Sequence, residues 1–174
     1  MVGEIRDQET AQVAVRSAMT GHFVLSTLHT NTAVGSVTRL IDMGVERYLL
    51  APMVVGLVAQ RLVRKLCPHC RVEEKASEAD SVLLGGAIKP GKKVWRAVGC
   101  DECGGEGYKG RLGLYEVIAM DDHFQTLIHN GASEAELEKA ARKGNPALLD
   151  DGVDKLRAGL TTIEEVARVV QDGA

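Results

Sequence analysis

Apolar and polar positions alternate in blocks along the first third of the chain. Residues 1–5, "MVGEI", read as the end of a buried strand that runs into a charged loop, "RD". Asp7 can then cap "QETAQVAVRSAMT", whose alanines, Val13 and Met19 fit a helical core face that stops at Gly21. "HFVLSTLHT" follows, with Phe23, Val24, Leu25 and Leu28 as a nearly continuous apolar run, the pattern of a strand covered on both faces. Strand, helix, strand predicts a parallel βαβ crossover and an α/β fold.

A further helix is predicted on "TAVGSVTRLIDMG", ending at Gly44, and "YLLAPMVVGLVAQRLVRKLC" reads as an apolar helix or as a helix then a strand. Pro52 permits a helix start there, and residues 61–66 are taken as strand. At Cys67 the texture changes: residues 71–93 are polar, carry "GG" and "KPGKK", lose their periodicity, and read as a loop. "VWRAV" and "RLGLYEVIAM" are strand candidates, and the last third is helical. There "SEAE" (Ser133 to Glu136) is a capping box, "TIEE" (Thr162 to Glu165) repeats it, Pro146 starts a helix and Gly159 ends one.

Length and charge narrow the function classes. The 174 residues, 45% of them hydrophobic, suit one domain or two small ones with a real core. A formal charge of −3, from 21 basic and 24 acidic residues, supplies no overall attraction for nucleic acid or anionic lipid, so no nucleic-acid partner is expected. No apolar run reaches the roughly 20 residues of a membrane helix, and no signal-peptide pattern opens the chain; the expected location is cytoplasmic, with no membrane span.

Four cysteines carry the clearest chemistry. "CPHC" (Cys67, Cys70) and "CDEC" (Cys100, Cys103) each place two thiols where a tight turn presents both sulfurs to one tetrahedral ion, so structural Zn²⁺ is the predicted ligand. Ordinary buried thiols and a redox pair are the alternatives, and the gap between the pairs is longer than in common zinc ribbons. His69 reads as a solvated turn residue. "CDECGGEG" also resembles one repeat of the DnaJ chaperone zinc region, a local likeness only, since "CPHCRVEE" lacks the glycines.

A second constellation sits near the start. Glu4 ends a predicted strand, where parallel-sheet nucleotide hydrolases place a carboxylate for Mg²⁺ or water, and Thr27 and His29 end the next. Spacing alone prefers the plainer reading: a solvated Glu4–Arg6 ion pair, with His22 and His29 as ordinary loop or core histidines.

The literal strings alter that balance. "GEIRDQETAQVAVRSAMTGHFVLSTLHTN", "AQRLVRKLCPHC" and "CDECGGEGYKGRLGLYEV" resemble, in order, segments of the ATPases that drive type II secretion and type IV pilus assembly. The likeness runs over the whole chain, and the paired cysteines point to secretion and assembly members. It implies that Glu4 is the Walker B glutamate, that His22 and His29 are the histidine box with His29 the phosphate sensor, and that Arg111 reaches nucleotide across or beside a subunit interface. Arg61 and Arg64 take a structural or interfacial role.

The resemblance also implies ATP and Mg²⁺ in the full-length protein, a homo-hexamer, and inner-membrane platform proteins as partners, with the motor peripheral to that membrane. The fold it implies is the C-terminal part of a RecA-like P-loop ATPase core over residues 1–66, a tetracysteine zinc module over 67–108, and a strand with a helical subdomain over 109–174. No GxxxxGK[ST] phosphate loop occurs in these residues, so the piece alone is expected to be inactive. A rival expectation is a non-enzymatic zinc-bearing interaction module.

Overall fold

The computed structural model describes residues 1–30 and 32–171. Its elements are helices α1 (Gln8–Met19), α2 (Gly35–Asp42) and α3 (Arg47–Met53), strands β1 (Gly56–Leu66) and β2 (Val72–Lys75), and helix α4 (Glu78–Leu83). Strands β3 (Lys93–Arg96) and β4 (Tyr108–Ala119) follow, and then helices α5 (Asp122–His129), α6 (Glu134–Ala141), α7 (Leu148–Arg157) and α8 (Ile163–Gln171). The fold is mixed α/β. Two compact units divide it, residues 1–59 with 117–145 and residues 60–116 with 146–174. Strands β1 and β4 pair with each other. They run in opposite directions, since Met120 N–H donates to the Val55 carbonyl beside one end and Cys67 N–H to the Gly107 carbonyl beside the other.

In the first unit, α1 begins where Asp7 accepts a hydrogen bond from Thr10 N–H at 2.8 Å. Its inner face is Ala11, Ala14 and Val15; the expected core residues Val13 and Met19 are instead 55% and 50% exposed. Small residues face inward because α1 lies close to α3. The core here gathers Val34, Val37, Leu50, Phe124, Ile128 and Leu137.

The predicted flanking strands are extended segments tied by two backbone bonds, Val2 N–H to Leu25 carbonyl and Ile5 N–H to Thr27 carbonyl, in the same direction along both. No strand is assigned to either. Nor is the second covered on both faces: Phe23 is 74% and Leu25 54% exposed, while Val24 and Leu28 turn toward the core. One face alone has neighbours among the described residues. Pro52 does not open a helix; it lies in the last turn of α3, and β1 starts at Gly56, earlier than residue 61.

The second unit is built on Val63, Val94, Leu114, Leu156, Ile163 and Val166. Residues 71–93, expected to be loop, contain β2 and α4. Helix α4 is opened by a capping box in which Ser77 and Asp80 exchange hydrogen bonds. The register Val72↔Arg96 to Lys75↔Lys93 aligns β2 with β3, which form a two-stranded antiparallel sheet. Helix α7 starts at Leu148, two residues past Pro146. Gly159 follows it in the left-handed region (φ 69°), where a Cβ would lie 2.6 Å from Trp95 Nε1, so only glycine suits this corner. The anticipated capping box at Thr162 and Glu165 gives way to longer-range partners. Thr162 Oγ1 lies 3.0 Å from Tyr108 Oη. The 3%-exposed Glu165 carboxylate accepts from Arg64 N–H at 2.8 Å, Arg64 Nε at 2.9 Å and Arg168 Nη2 at 3.1 Å.

Arg96 gathers three carboxylates, Asp80 at 2.6 Å, Glu164 at 2.5 Å and Glu74 at 3.3 Å, and so joins β2, β3, α4 and α8. Its hydrogen bond, outweighing the burial of Asp80 and helped by Ser77, holds the Asp80 carboxyl at about 2. A folded-state value below the ordinary one gives stability that is complete above about pH 4 and is lost as pH falls toward 2. Asp80→Asn should therefore destabilise the protein by roughly 2 kcal/mol near neutral pH. Urea unfolding of both proteins checks this: the gap should close near pH 2, and a gap independent of pH would assign the loss to packing.

Candidate functional site

Ile5 is buried, and alternation along an extended segment turns the neighbouring Glu4 away from that core. Thr27 fixes the opposing segment by donating its hydroxyl to the Gly3 carbonyl at 2.8 Å, and His29 follows two residues on. The result brings Glu4 and His29 together: Oε1 lies 2.7 Å from His29 Nε2, without the alignment of a hydrogen bond, and Oε2 lies 2.6 Å from Arg6 Nη2. The Arg6 hydrogen bond is the largest effect; it outweighs desolvation and, with the Arg6 charge and a smaller contribution from His29, holds the Glu4 carboxyl below its ordinary range. It is a carboxylate at neutral pH, able to accept from water or hold a cation.

The couple faces an open cleft of about 280 Å³ bordered also by Arg39 and Met43. A second cleft of about 320 Å³ is bordered by His29, Arg39, Thr38, Asp42 and Glu134. Arg39 belongs to both. Nothing in the motif spacing singled it out; the available signal is one cation on α2 among the apolar positions Val37, Leu40 and Ile41.

The other candidate residues lie elsewhere. His22 Nδ1 is 3.1 Å from Thr20 Oγ1 and 3.2 Å from the Ser17 carbonyl, at the C-terminal end of α1, so its contacts are with that helix end. Arg111 is exposed on β4 and belongs to the second compact unit. Arg64 pairs with Glu165 and stacks over Tyr108 at 4.0 Å, and Arg61 donates to the Gln60 carbonyl.

Cys67, Cys70, Cys100 and Cys103 form one cluster, with their sulfurs all within 4.8 Å of one another. Three of the separations are 3.9 Å (Cys67–Cys100), 3.8 Å (Cys70–Cys103) and 3.9 Å (Cys100–Cys103). A tetrahedral ion with bonds of about 2.3 Å needs sulfurs roughly 3.8 Å apart, so the four could hold a metal with little adjustment. The second pair is shaped by a 3₁₀ turn at Asp101–Cys103. Backbone N–H groups point at the sulfurs: Gly99 to Cys70 at 3.3 Å, Cys100 to Cys103 at 3.3 Å and Gly107 to Cys103 at 3.1 Å. Desolvation raises the Cys103 thiol, but the Cys100 and Gly107 donors outweigh it and bring it to about 6, whereas desolvation and Cys70 push Cys100 up to about 11. An all-sulfur set with N–H support suits a soft or borderline ion. His69 is exposed and outside the cluster.

Residues 1–168 match the family described as "Type II/IV secretion system protein". Over 99% of its length the chain is 52% identical to type II secretion system protein E of Pseudomonas aeruginosa, covering 34% of that protein. It is 50% identical to the type II secretion system ATPase E of Vibrio cholerae, again over 99% of this chain and 34% of the relative. Type IV pilus assembly ATPase PilB of Thermus thermophilus is 45% identical over 98% of this chain and 20% of PilB. The chain thus spans about a third or less of these relatives. The structure of the ATPase DotB of Legionella pneumophila superposes with a TM-score of 0.65 at 20% identity, over all of this chain and 38% of DotB, a likeness of fold.

If the four sulfurs share one ion, native mass spectrometry of the chain should find one metal per chain, and Cys100→Ser should lose it. Structural zinc can contribute on the order of 10 kcal/mol in small domains. A thermal melt unchanged by chelator, in a preparation with no bound metal, would refute shared ligation.

Proposed function

The chain belongs to the type II/IV secretion system protein family, and from that premise we propose that it is the C-terminal part of a hexameric ATPase that powers type II protein secretion by driving pseudopilus assembly. The observation that carries the reading is the approach of Glu4 to His29 in an open cleft, which joins two motif residues 25 positions apart in sequence.

Glu4 would be the Walker B carboxylate, kept ionised beside Arg6 so that it can orient water and take a share of Mg²⁺ coordination. His29 would donate to the terminal phosphate, with His22 a more remote member of the same box. Arg111 would reach nucleotide at or beside a subunit boundary. Bound Mg²⁺ supplies neutralisation of phosphate charge. The four cysteines would hold structural Zn²⁺, the ion that best matches a tetrahedral four-sulfur set. Among the described residues no helix is long and apolar enough to cross a membrane, and the reading places the protein in the cytoplasm, attached to inner-membrane platform proteins.

The likeness to PilB supports a second reading of the same chemistry, assembly of a type IV pilus. A zinc-bearing interaction module without catalysis is the reading that the following experiment separates from both. In a full-length protein containing this region, Glu4→Gln should preserve ATP affinity and lower turnover by roughly 100-fold or more, because the amide retains the shape without the charge. His29→Ala should act in the same direction with a smaller loss. Unchanged turnover in both variants would remove the cleft from the reaction.

A phosphate loop provides a nest of backbone N–H donors and a lysine for the β and γ phosphates. These residues contain no such array, so Glu4 and His29 would meet only the rim of a nucleotide. Residues 1–174 alone should hydrolyse no ATP and bind it more weakly than about millimolar. Calorimetry with Mg·ATP and a phosphate-release assay test this, and saturable tight binding with turnover would refute it.

A further inference from the structure

The second compact unit contains a cavity of about 590 Å³ that the nucleotide reading leaves unused. Its border carries Lys89, Lys92, Lys93 and Arg157 around Ala87 and the buried Ile88. Lys93 is paired with Glu73 at 2.6 Å and Arg157 with Asp154 at 3.2 Å. Lys89 and Lys92 have no ion-pair partner among the described residues. They occupy the ends of a tight turn in which Lys92 N–H donates to the Lys89 carbonyl, Pro90 takes the second place and Gly91 (φ 78°) the third, the type II pattern. Proline and a left-handed glycine make this turn rigid, so both lysines leave the backbone from fixed positions at its ends.

Anion sites draw on free backbone N–H groups as well as on charge. Here the N–H groups of Gly86, Ala87, Gly91 and Lys92 all donate to carbonyls of the chain, those of Ser81, Leu84, Ala76 and Lys89 respectively. The N–H groups of Ile88 and Lys89 have no acceptor among the described residues, so a ligand meets two backbone donors and side-chain positive charge beside an apolar border, chemistry that suits carboxylates flanking an apolar side chain.

We propose that this cavity docks an acidic segment of a partner protein, with two carboxylates on Lys89 and Lys92 and an apolar side chain toward Ile88. The surface is independent of ATP hydrolysis. Trp95, the one tryptophan of the chain, lies beneath Lys93 at 4.8 Å and Arg71 at 4.5 Å, so a ligand that draws on Lys93 changes the field at its indole.

The test titrates the full chain with a synthetic eight-residue peptide of alternating glutamate and leucine, read by Trp95 fluorescence and by anisotropy of the labelled peptide. Saturable binding is expected, weakened at least ~10-fold in the Lys89→Glu, Lys92→Glu double variant and less in the Lys→Gln pair, and weakened by salt. Circular dichroism confirms that these surface variants are folded. Equal affinity in wild type and double variant overturns the proposal, as does equal affinity for a glutamate–serine peptide, which would leave the apolar border without a role. Saturation by inorganic phosphate or by phosphatidylglycerol vesicles, with the peptide inactive, would assign the lysines to phosphate or to a membrane surface and overturn it too.

Discussion

Convergence of four sulfur atoms is the constraint on which the second unit depends. Cys67 and Cys70 precede β2 directly, and Cys100 and Cys103 follow β3 by a few residues, so the cluster clamps one end of the antiparallel strand pair, the end where Val72 meets Arg96. The clamped end sets the register Val72↔Arg96, since a slip of one residue would turn every side chain to the opposite face. That register brings Arg96 to Asp80 and Glu164, and leaves Trp95 beneath Arg71, the residue next to Cys70. Arg71 in turn donates to the Gly159 carbonyl, carrying the arrangement to the end of α7. An all-thiol cluster thus determines the placement of charges that lie well away from it.

In the first unit the controlling factor is the alternation of an extended chain. Ile5 is drawn into the core, Glu4 is thereby turned outward, and the Gly3–Thr27 contact sets how far along the second segment His29 emerges. A carboxylate between a guanidinium and an imidazole keeps its charge because the Arg6 hydrogen bond outweighs desolvation of a side chain that is still 20% exposed. Burial deep enough to exclude water would raise the carboxyl instead.

The local devices were legible in sequence because their partners lie within a few residues. Asp7, the Ser133–Glu136 box and the glycines at positions 21 and 44 all act over one turn, and they stand where expected. The same reasoning was available for Ser77 and Asp80, in "SEAD", and would have found α4 within the supposed loop. Contacts across the chain were not legible. The Glu165 carboxylate has the spacing of a capping box, but Arg64, 101 residues away, is the stronger competitor for it. Phe23 and Leu25 carry the pattern of a strand with two covered faces, yet which faces are covered is decided by neighbours and not by the run itself. Among the candidate residues, Glu4, His29 and the four cysteines were legible as motifs, whereas Arg39 enters only because α2 packs beside Glu4 and His29. The compact units escape a linear reading altogether, since each is assembled from separated stretches of chain.

The two-stranded β2–β3 sheet has a wider consequence for the chain's solubility. Strand β2 has only β3 beside it, and all four of its residues, Val72, Glu73, Glu74 and Lys75, are exposed. A row of unpaired amides and carbonyls is an invitation to strand addition and from there to fibrils. The strand is short, and three of its four side chains are charged, two of them acidic and adjacent, so a like strand approaching the edge would meet repulsion and a desolvation penalty. The segment joining the cysteine cluster to the rest of its unit is thus guarded against polymerising through its own backbone.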